Sequence, residues 1–185
     1  MLVDAHCHLG DRAFDADREA VLARARAAGV AHVVVIGGGG SVTDSAVAVA
    51  LATATPGLSA TAGVHPHEAT AWSPAAERDV RALLAEPAAV AVGETGLDYH
   101  YEHSPRDVQR RAFEAQLGLA AELQKPVVVH ARDADSDIAA ILRGWSGGSR
   151  RPAVVLHSFS SGPAVFEAGM DIGATFSFKI GRAHV

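Results

Sequence analysis

Short apolar runs recur along this chain, and four of them end in side chains that can bind a metal ion. They are LVDAHCH with His6 and His8, VAVGE with Glu94, PVVVH with His130, and AVVLH with His157. Such a run predicts a buried strand of a parallel sheet, whose last residue emerges at the carboxyl edge. Parallel α/β proteins build their sites at that edge. The pattern therefore predicts that these five side chains meet there.

Amphipathic segments alternate with the apolar runs. Repeated strand–helix units with short connections predict a single parallel sheet with right-handed crossovers. The expected class is α/β, a TIM (β/α)8-type barrel that stops before its last unit, since a full barrel needs about 250 residues. Strands are predicted near 1–7, 32–36, 58–64, 89–93, 126–129, 153–156 and 171–176, with helices over 15–28, 41–53, 74–85, 104–123, 134–145 and 163–168.

Composition and charge narrow the class of protein. The 185 residues are 49% hydrophobic and 20% charged, which is typical of a folded domain. The net charge of −5 gives no basic surface that would follow a nucleic-acid backbone, but a nuclease remains open because divalent cations can meet a phosphate. The single cysteine, the lack of a membrane-length apolar stretch and the lack of a signal peptide predict a cytoplasmic protein. Neither a membrane nor an obligate protein partner is indicated.

The spacing and chemistry of the strand-end residues favour metal ligands. His6 and His8 are two residues apart, so both point to one face of the first strand. The carboxylate of Glu94 could bridge two cations through its two oxygens, although a glutamate alone could equally be a helix cap. His130 or His157 alone would more often be a satisfied core residue. Their shared position at strand ends favours the metal interpretation.

Further polar residues follow these strand ends. His65 and His67, in GVHPH, could bind a substrate phosphate or orient a metal ligand. Asp98 could orient a ligand histidine or activate water, or could simply form a turn. Arg132 could meet an anionic substrate or be a solvated loop charge. We expect Glu94 and Asp98 to act in catalysis and His65, His67, Tyr99 and Arg132 to contact the substrate.

Four consecutive glycines at 37–40 follow the second predicted strand. No Lys-Ser or Lys-Thr pair comes after them, and their spacing does not match a dinucleotide fingerprint. We therefore predict a flexible loop here, not a nucleotide cradle.

Six motifs, in order and spacing, resemble the TatD family of metal-dependent deoxyribonucleases: DAHCHL, GVHPHEA, VGETGLDY, SPRDVQRRAFEAQLGLA, KPVVVHARDA and VLHSFS. The resemblance covers about residues 1–178. It implies an amidohydrolase-like TIM barrel that hydrolyses DNA with two divalent ions, Mg²⁺, Mn²⁺ or Zn²⁺. By the family pattern His6, His8 and Glu94 would hold one ion, and Glu94, His130 and His157 the other.

The sequence departs from the family pattern in two places. The family has a further aspartate ligand after its eighth strand, and nothing in this chain matches it. After Phe178 the chain also leaves the pattern, and Ile180–Val185 can be reverse-translated into a common sequencing-adapter read. We therefore expect one C-terminally truncated hydrolase domain over residues 1–178 and a non-native tail over 179–185.

The leading prediction is a divalent-metal hydrolase that cleaves phosphodiester bonds of DNA. Two alternatives stay open. One is a C–N hydrolase or deaminase of the amidohydrolase type, which uses the same pair of histidines on its first strand. The other is an inactive metal-binding fragment, because the last aspartate ligand is absent.

Overall fold

The computed structural model describes residues 1–38, 41–145 and 151–178, so the predicted tail over 179–185 lies outside the described residues. Seven strands pair in parallel in the order of the chain, and helices connect them. The predicted α/β fold of TIM-barrel type is thereby confirmed. The elements are β1 (Leu2–Cys7), α1 (Arg18–Ala27), β2 (Val30–Val35), α2 (Val42–Ala54), β3 (Leu58–Ala62), α3 (Pro74–Leu84), β4 (Ala89–Asp98), α4 (Arg106–Leu123), β5 (Val127–Arg132), α5 (Asp135–Gly144), β6 (Val154–Leu156), α6 (Pro163–Asp171) and β7 (Thr175–Phe176), with short 3-10 helices at Arg12–Phe14 and Pro66–Ala71.

The core lies between the sheet and the helices that cover it. Central strand residues such as Val35, Val92 and Val129 are completely buried. From α4, Phe113 and Leu117 pack into the same core, as their helical spacing predicts. This burial fixes the strands, and so fixes the edge where the polar side chains emerge.

Two strands extend beyond their predicted ends. β4 continues to Asp98 and β5 to Arg132, so Glu94 and His130 lie within strands and not after them. Near Glu94 the strand is irregular, because its pairing with β5 shifts between Val92 and Thr95. The sequence predicts a strand end at Gly93, whereas β4 continues through this glycine and pairs with β5 again from Thr95.

The C-terminal elements also differ from the prediction. Helix α6 runs to Asp171, where the sequence predicted the start of a strand, and β7 is reduced to Thr175–Phe176. The apolar pattern of 163–172 fits a helix, and α6 packs on α5.

Among the described strands, β1 and β7 each pair on one side only, so the sheet is open. Large apolar side chains are exposed near both ends of the sheet: Leu2 is 59% exposed, Met170 59% and Phe178 74%. A closed barrel has no such edges, so the edges of β1 and β7 and these side chains are accessible in the described part of the chain. No helix in the described ranges is both long enough and apolar enough to cross a membrane.

Candidate metal centre

Glu94 lies at the middle of the polar cluster, and it is only 3% exposed. Its Oε2 lies 3.3 Å from Nε2 of His6 and 3.9 Å from Nε2 of His8, both on or just after β1. Its Oε1 lies 3.1 Å from Nδ1 of His130, on β5. The two carboxylate oxygens therefore face two different sets of histidines, which is the arrangement that a bridging carboxylate needs.

Two groups of side chains are spaced closely enough to hold an ion, each with its ligand atoms within 4.8 Å of one another. The first contains His6, His8 and Glu94, the set that the family resemblance implies for one ion. The second contains Glu94 and His130 together with His65, in the place expected for His157. Both groups share Glu94.

His157 lies beside the first group. Its ring stacks on the ring of His6, with centroids 3.3 Å apart and planes 7° from parallel. Its Nδ1 lies 3.4 Å from Oγ of Ser177. The structure thus brings His157 to the cluster but not into the close group, and its role as a ligand stays a prediction.

The donor set fits a metal ion. Both ring nitrogens of His6 are buried, and neither makes a hydrogen bond of good geometry among the described residues, although Nε2 lies 3.3 Å from Oε2 of Glu94. A buried polar atom without a hydrogen bond is costly, and a bound ion is one way to satisfy it. Imidazoles combined with a carboxylate suit Zn²⁺ and Mn²⁺, and carboxylate-rich sites also take Mg²⁺.

Asp98 orients the histidines of the cluster. It is completely buried, and its Oδ2 accepts from Nε2 of His130 at 2.9 Å and from Nε2 of His67 at 3.0 Å. Its Oδ1 accepts from the backbone N–H groups of His100 and Tyr101. Because Asp98 holds Nε2 of His130, the Nδ1 atom is directed at Glu94. A carboxylate behind a ligand histidine in this way fixes its tautomer and orientation.

The charges of the cluster follow from burial and from these contacts. Burial would raise the pKa of Glu94, but its close contacts with His130 and His6 outweigh burial and hold the pKa well below its usual range. Burial also opposes ionisation of Asp98, yet the hydrogen bonds that it accepts lower its pKa to about 2. Burial lowers the pKa of His65 to about 3 and that of His157 to about 4, so both are neutral at pH 7. Neutral imidazole is the form that binds metal.

A cavity of about 310 Å³ opens above the cluster at the carboxyl edge of the sheet. Tyr99 lies outside it, since its hydroxyl donates to Asp137 at 2.6 Å and the guanidinium of Arg106 covers its ring. Tyr101, which the sequence analysis passed over, lines the cavity instead. The predicted site residues that line it are His8, His65, His67, Glu94, Asp98, His130, Arg132 and His157.

Two buried glutamines of α4, which the sequence analysis also missed, hold the backbone around the cluster. Gln109 accepts from the N–H of Asp98 at 2.8 Å and donates to its carbonyl at 3.0 Å. Gln116 accepts from the N–H of Val64 and donates to the hydroxyl of Thr95, next to Glu94. The two glutamines are seven residues apart on the apolar face of the helix, and that placement was the signal that could have revealed them.

The first two glycines of 37–40 are buried in the loop after β2, and the flexibility of this loop stays a prediction; 39 and 40 lie outside the described residues. The N–H of Gly37 donates to the hydroxyl of Thr61 at 3.0 Å. A Cβ on Gly38 would overlap the backbone nitrogen and carbonyl oxygen of Glu94. Gly38 therefore lets one loop approach the central carboxylate.

We expect Gly38→Ala to destabilise the fold by about 1–3 kcal/mol or more, the usual cost of overpacking. Gly118→Ala is the matched control, because Gly118 is in α4 and a Cβ there would have no described atom within 4 Å. This control should gain about 0.5–1 kcal/mol from helix propensity. Urea denaturation of the two variants measures the difference, and equal stability would show that the contact with Glu94 relaxes freely.

Comparisons with known proteins give the family. Residues 3–182 match the family model described as TatD related DNase. The chain belongs to the TatD family of DNases. It is 40% identical over 179 residues to the protein named 3'-5' ssDNA/RNA exonuclease TatD from Musicola paradisiaca, covering 94% of this chain and 66% of that one. The protein of the same name from Edwardsiella piscicida is 42% identical over 173 residues, covering 93% and 65%.

Solved structures agree with this assignment. A TatD homologue from Escherichia coli K12 superposes with a TM-score of 0.83 at 29% identity, covering 95% of this chain and 66% of that one. A TatD-family hydrolase from Entamoeba histolytica has the same TM-score of 0.83 at 21% identity and so shares the fold. The chain spans just under two thirds of the length of the curated relatives that it matches.

Proposed function

We propose that the protein is a metal-dependent nuclease that hydrolyses phosphodiester bonds of DNA. The observation that carries the proposal is the buried carboxylate of Glu94, whose two oxygens face histidines on opposite sides. Membership of the TatD family supports the same conclusion, as do relatives named as exonucleases of single-stranded DNA and RNA.

Two divalent ions are proposed at the cluster. His6, His8 and Glu94 would hold one ion, and Glu94 and His130 the other, completed by His157 as the resemblance implies or by His65 as the spacing favours. When bound, divalent ions neutralise phosphate charge and lower the pKa of water, which supplies a nucleophile at neutral pH.

The remaining residues position the ligands and the substrate. Asp98 holds Nε2 of His130, and we assign it a positioning role through that histidine. Arg132 and His67 face the same cavity and supply donors for a phosphate. The guanidinium of Arg132 lies over the ring of Tyr101 and makes no ion pair with a described carboxylate, so its charge is available to an anionic substrate.

One alternative has a specific observation in its favour. The described sheet is open at both ends, and β1, which carries His6, is one of its edge strands. This observation favours a metal-binding chain without turnover over the C–N hydrolase, for which the relatives' names give no support.

The test uses the purified chain with end-labelled single- and double-stranded oligonucleotides in Mg²⁺, Mn²⁺ or Zn²⁺. We expect single strands to be shortened from the 3' end, with the activity lost on chelation and restored by adding the metal back. Hydrolysis of amide or nucleobase substrates without cleavage of DNA would replace the proposal with the C–N hydrolase. Stoichiometric metal binding without hydrolysis of any substrate would identify the inactive fragment.

A further inference from the structure

An exposed aromatic ring stands at the rim of the cavity. Tyr101 is 52% exposed, yet it lines the same cavity as Glu94, His130 and Arg132. It lies on the loop between β4 and α4, and its hydroxyl takes part in none of the hydrogen bonds found among the described residues. Its position beside the cavity places an accessible aromatic face where a ligand of the site can contact it.

The loop that carries Tyr101 is fixed at both ends. The backbone N–H of Tyr101 donates to Oδ1 of Asp98 at 3.0 Å. At the other end the hydroxyl of Ser104 donates to the carbonyl of His67 at 2.7 Å and accepts from the N–H of Thr70. Because both anchors belong to the site, the ring of Tyr101 is held at a set position relative to the cluster.

Other rings and one cation surround Tyr101. The planes of the His103 and Tyr101 rings are 2° from parallel, with centroids 5.6 Å apart. The ring of His67 meets the Tyr101 ring edge-on, with centroids 5.6 Å apart. The guanidinium carbon of Arg132 lies 4.7 Å from the centre of the Tyr101 ring. A cation over an exposed ring is held weakly, so Arg132 can leave this position when a phosphate enters the cavity.

We propose that Tyr101 is the base-stacking residue of the nuclease site and takes an unpaired base next to the scissile phosphate. The base would occupy the ring face that Arg132 now covers, while Arg132 turns to the phosphate. Stacking does not depend on base identity, since every base has a π-face. In a duplex the inner bases are stacked on their neighbours, so Tyr101 makes the site selective for single strands. This inference rests on the proposed nuclease function and names its specificity residue.

Fluorescence anisotropy tests the proposal with labelled single strands in Ca²⁺, after a gel has shown that they remain uncleaved. Two strands are compared: one complete, and one whose last two 3' nucleotides are abasic. Stacking contributes about 5- to 100-fold in affinity per base, so Tyr101→Leu should weaken binding of the complete strand by about that factor. The abasic strand should bind the wild type and Tyr101→Leu equally, and Tyr101→Phe should bind the complete strand as the wild type does.

The outcomes separate this proposal from the nuclease proposal. If Tyr101→Leu loses affinity equally for both strands, or for neither strand, the stacking role of Tyr101 would be overturned. Equal binding of complete and abasic strands by the wild type would overturn it too, and this comparison does not depend on any variant folding. If Tyr101→Leu loses affinity only for the complete strand, but the chain cleaves no nucleic acid, the result would support stacking by Tyr101 and reject the proposed nuclease function.

Discussion

Replacing Glu94 with glutamine should remove most of the bound metal and abolish hydrolysis. Residues that only support a metal ligand contribute about 10- to 100-fold in metal affinity, so loss of a shared ligand should cost at least about 100-fold. Glutamine has almost the same volume, so the core around this 3% exposed position should stay packed. Elemental analysis after removal of weakly bound ions measures the metal, and the nuclease assay measures turnover.

Glu86→Gln is the control, because Glu86 is exposed at the end of α3 and away from the cluster. It should bind metal and cleave DNA as the wild type does. Unchanged metal occupancy in Glu94→Gln, with an unchanged thermal melt, would show that Glu94 is not the shared ligand.

The second large effect is expected for Asp98→Asn. The side chain of Asp98 accepts four hydrogen bonds, two of them from His130 and His67. An asparagine at this position can no longer accept all four, so His130 loses the carboxylate that directs its Nδ1 at Glu94. We expect metal affinity to fall by about 10- to 100-fold, with hydrolysis reduced in parallel.

The dependence of activity on metal concentration gives the role of Asp98. If it acts by positioning His130, high Mn²⁺ should restore most of the turnover of Asp98→Asn. A turnover that stays low at saturating Mn²⁺ would contradict positioning and make Asp98 a proton acceptor in the reaction. Asp79→Asn, an exposed change on α3, is the matched control and should behave as the wild type.

The sequence predicted which residues would come together, because strand ends of a parallel sheet meet at one edge. His6, His8, Glu94 and His130 do converge, and the register that pairs Gly96 with His130 shows how β4 and β5 align them. The family resemblance indicated the chemistry of the site. Periodicity and strand order were enough to predict that these side chains meet.

The details of the site depended on local backbone geometry that no periodicity encodes. His65 joins Glu94 and His130 because a short 3-10 helix follows β3. Tyr101 reaches the cavity in place of Tyr99 because the loop after β4 bends where the N–H of Tyr101 donates to the carboxylate of Asp98. Both outcomes depend on turns and side-chain hydrogen bonds, which local sequence determines only weakly.

The glycine segment shows the same limit. A run of glycines predicts conformational freedom of the backbone, and only the fold shows that Gly38 lies against the backbone of Glu94. Whether a glycine serves flexibility or close packing depends on what lies opposite, and residues far apart in sequence decide that.

We propose that Glu94 joins two divalent ions at the carboxyl edge of the sheet. Anomalous X-ray diffraction from crystals of the chain grown with Mn²⁺ tests this directly. We expect two peaks about 3.5–4 Å apart, one on each side of the Glu94 carboxylate, with His6 and His8 at one and His130 at the other. Peaks only at exposed carboxylates, with none beside Glu94, would contradict it.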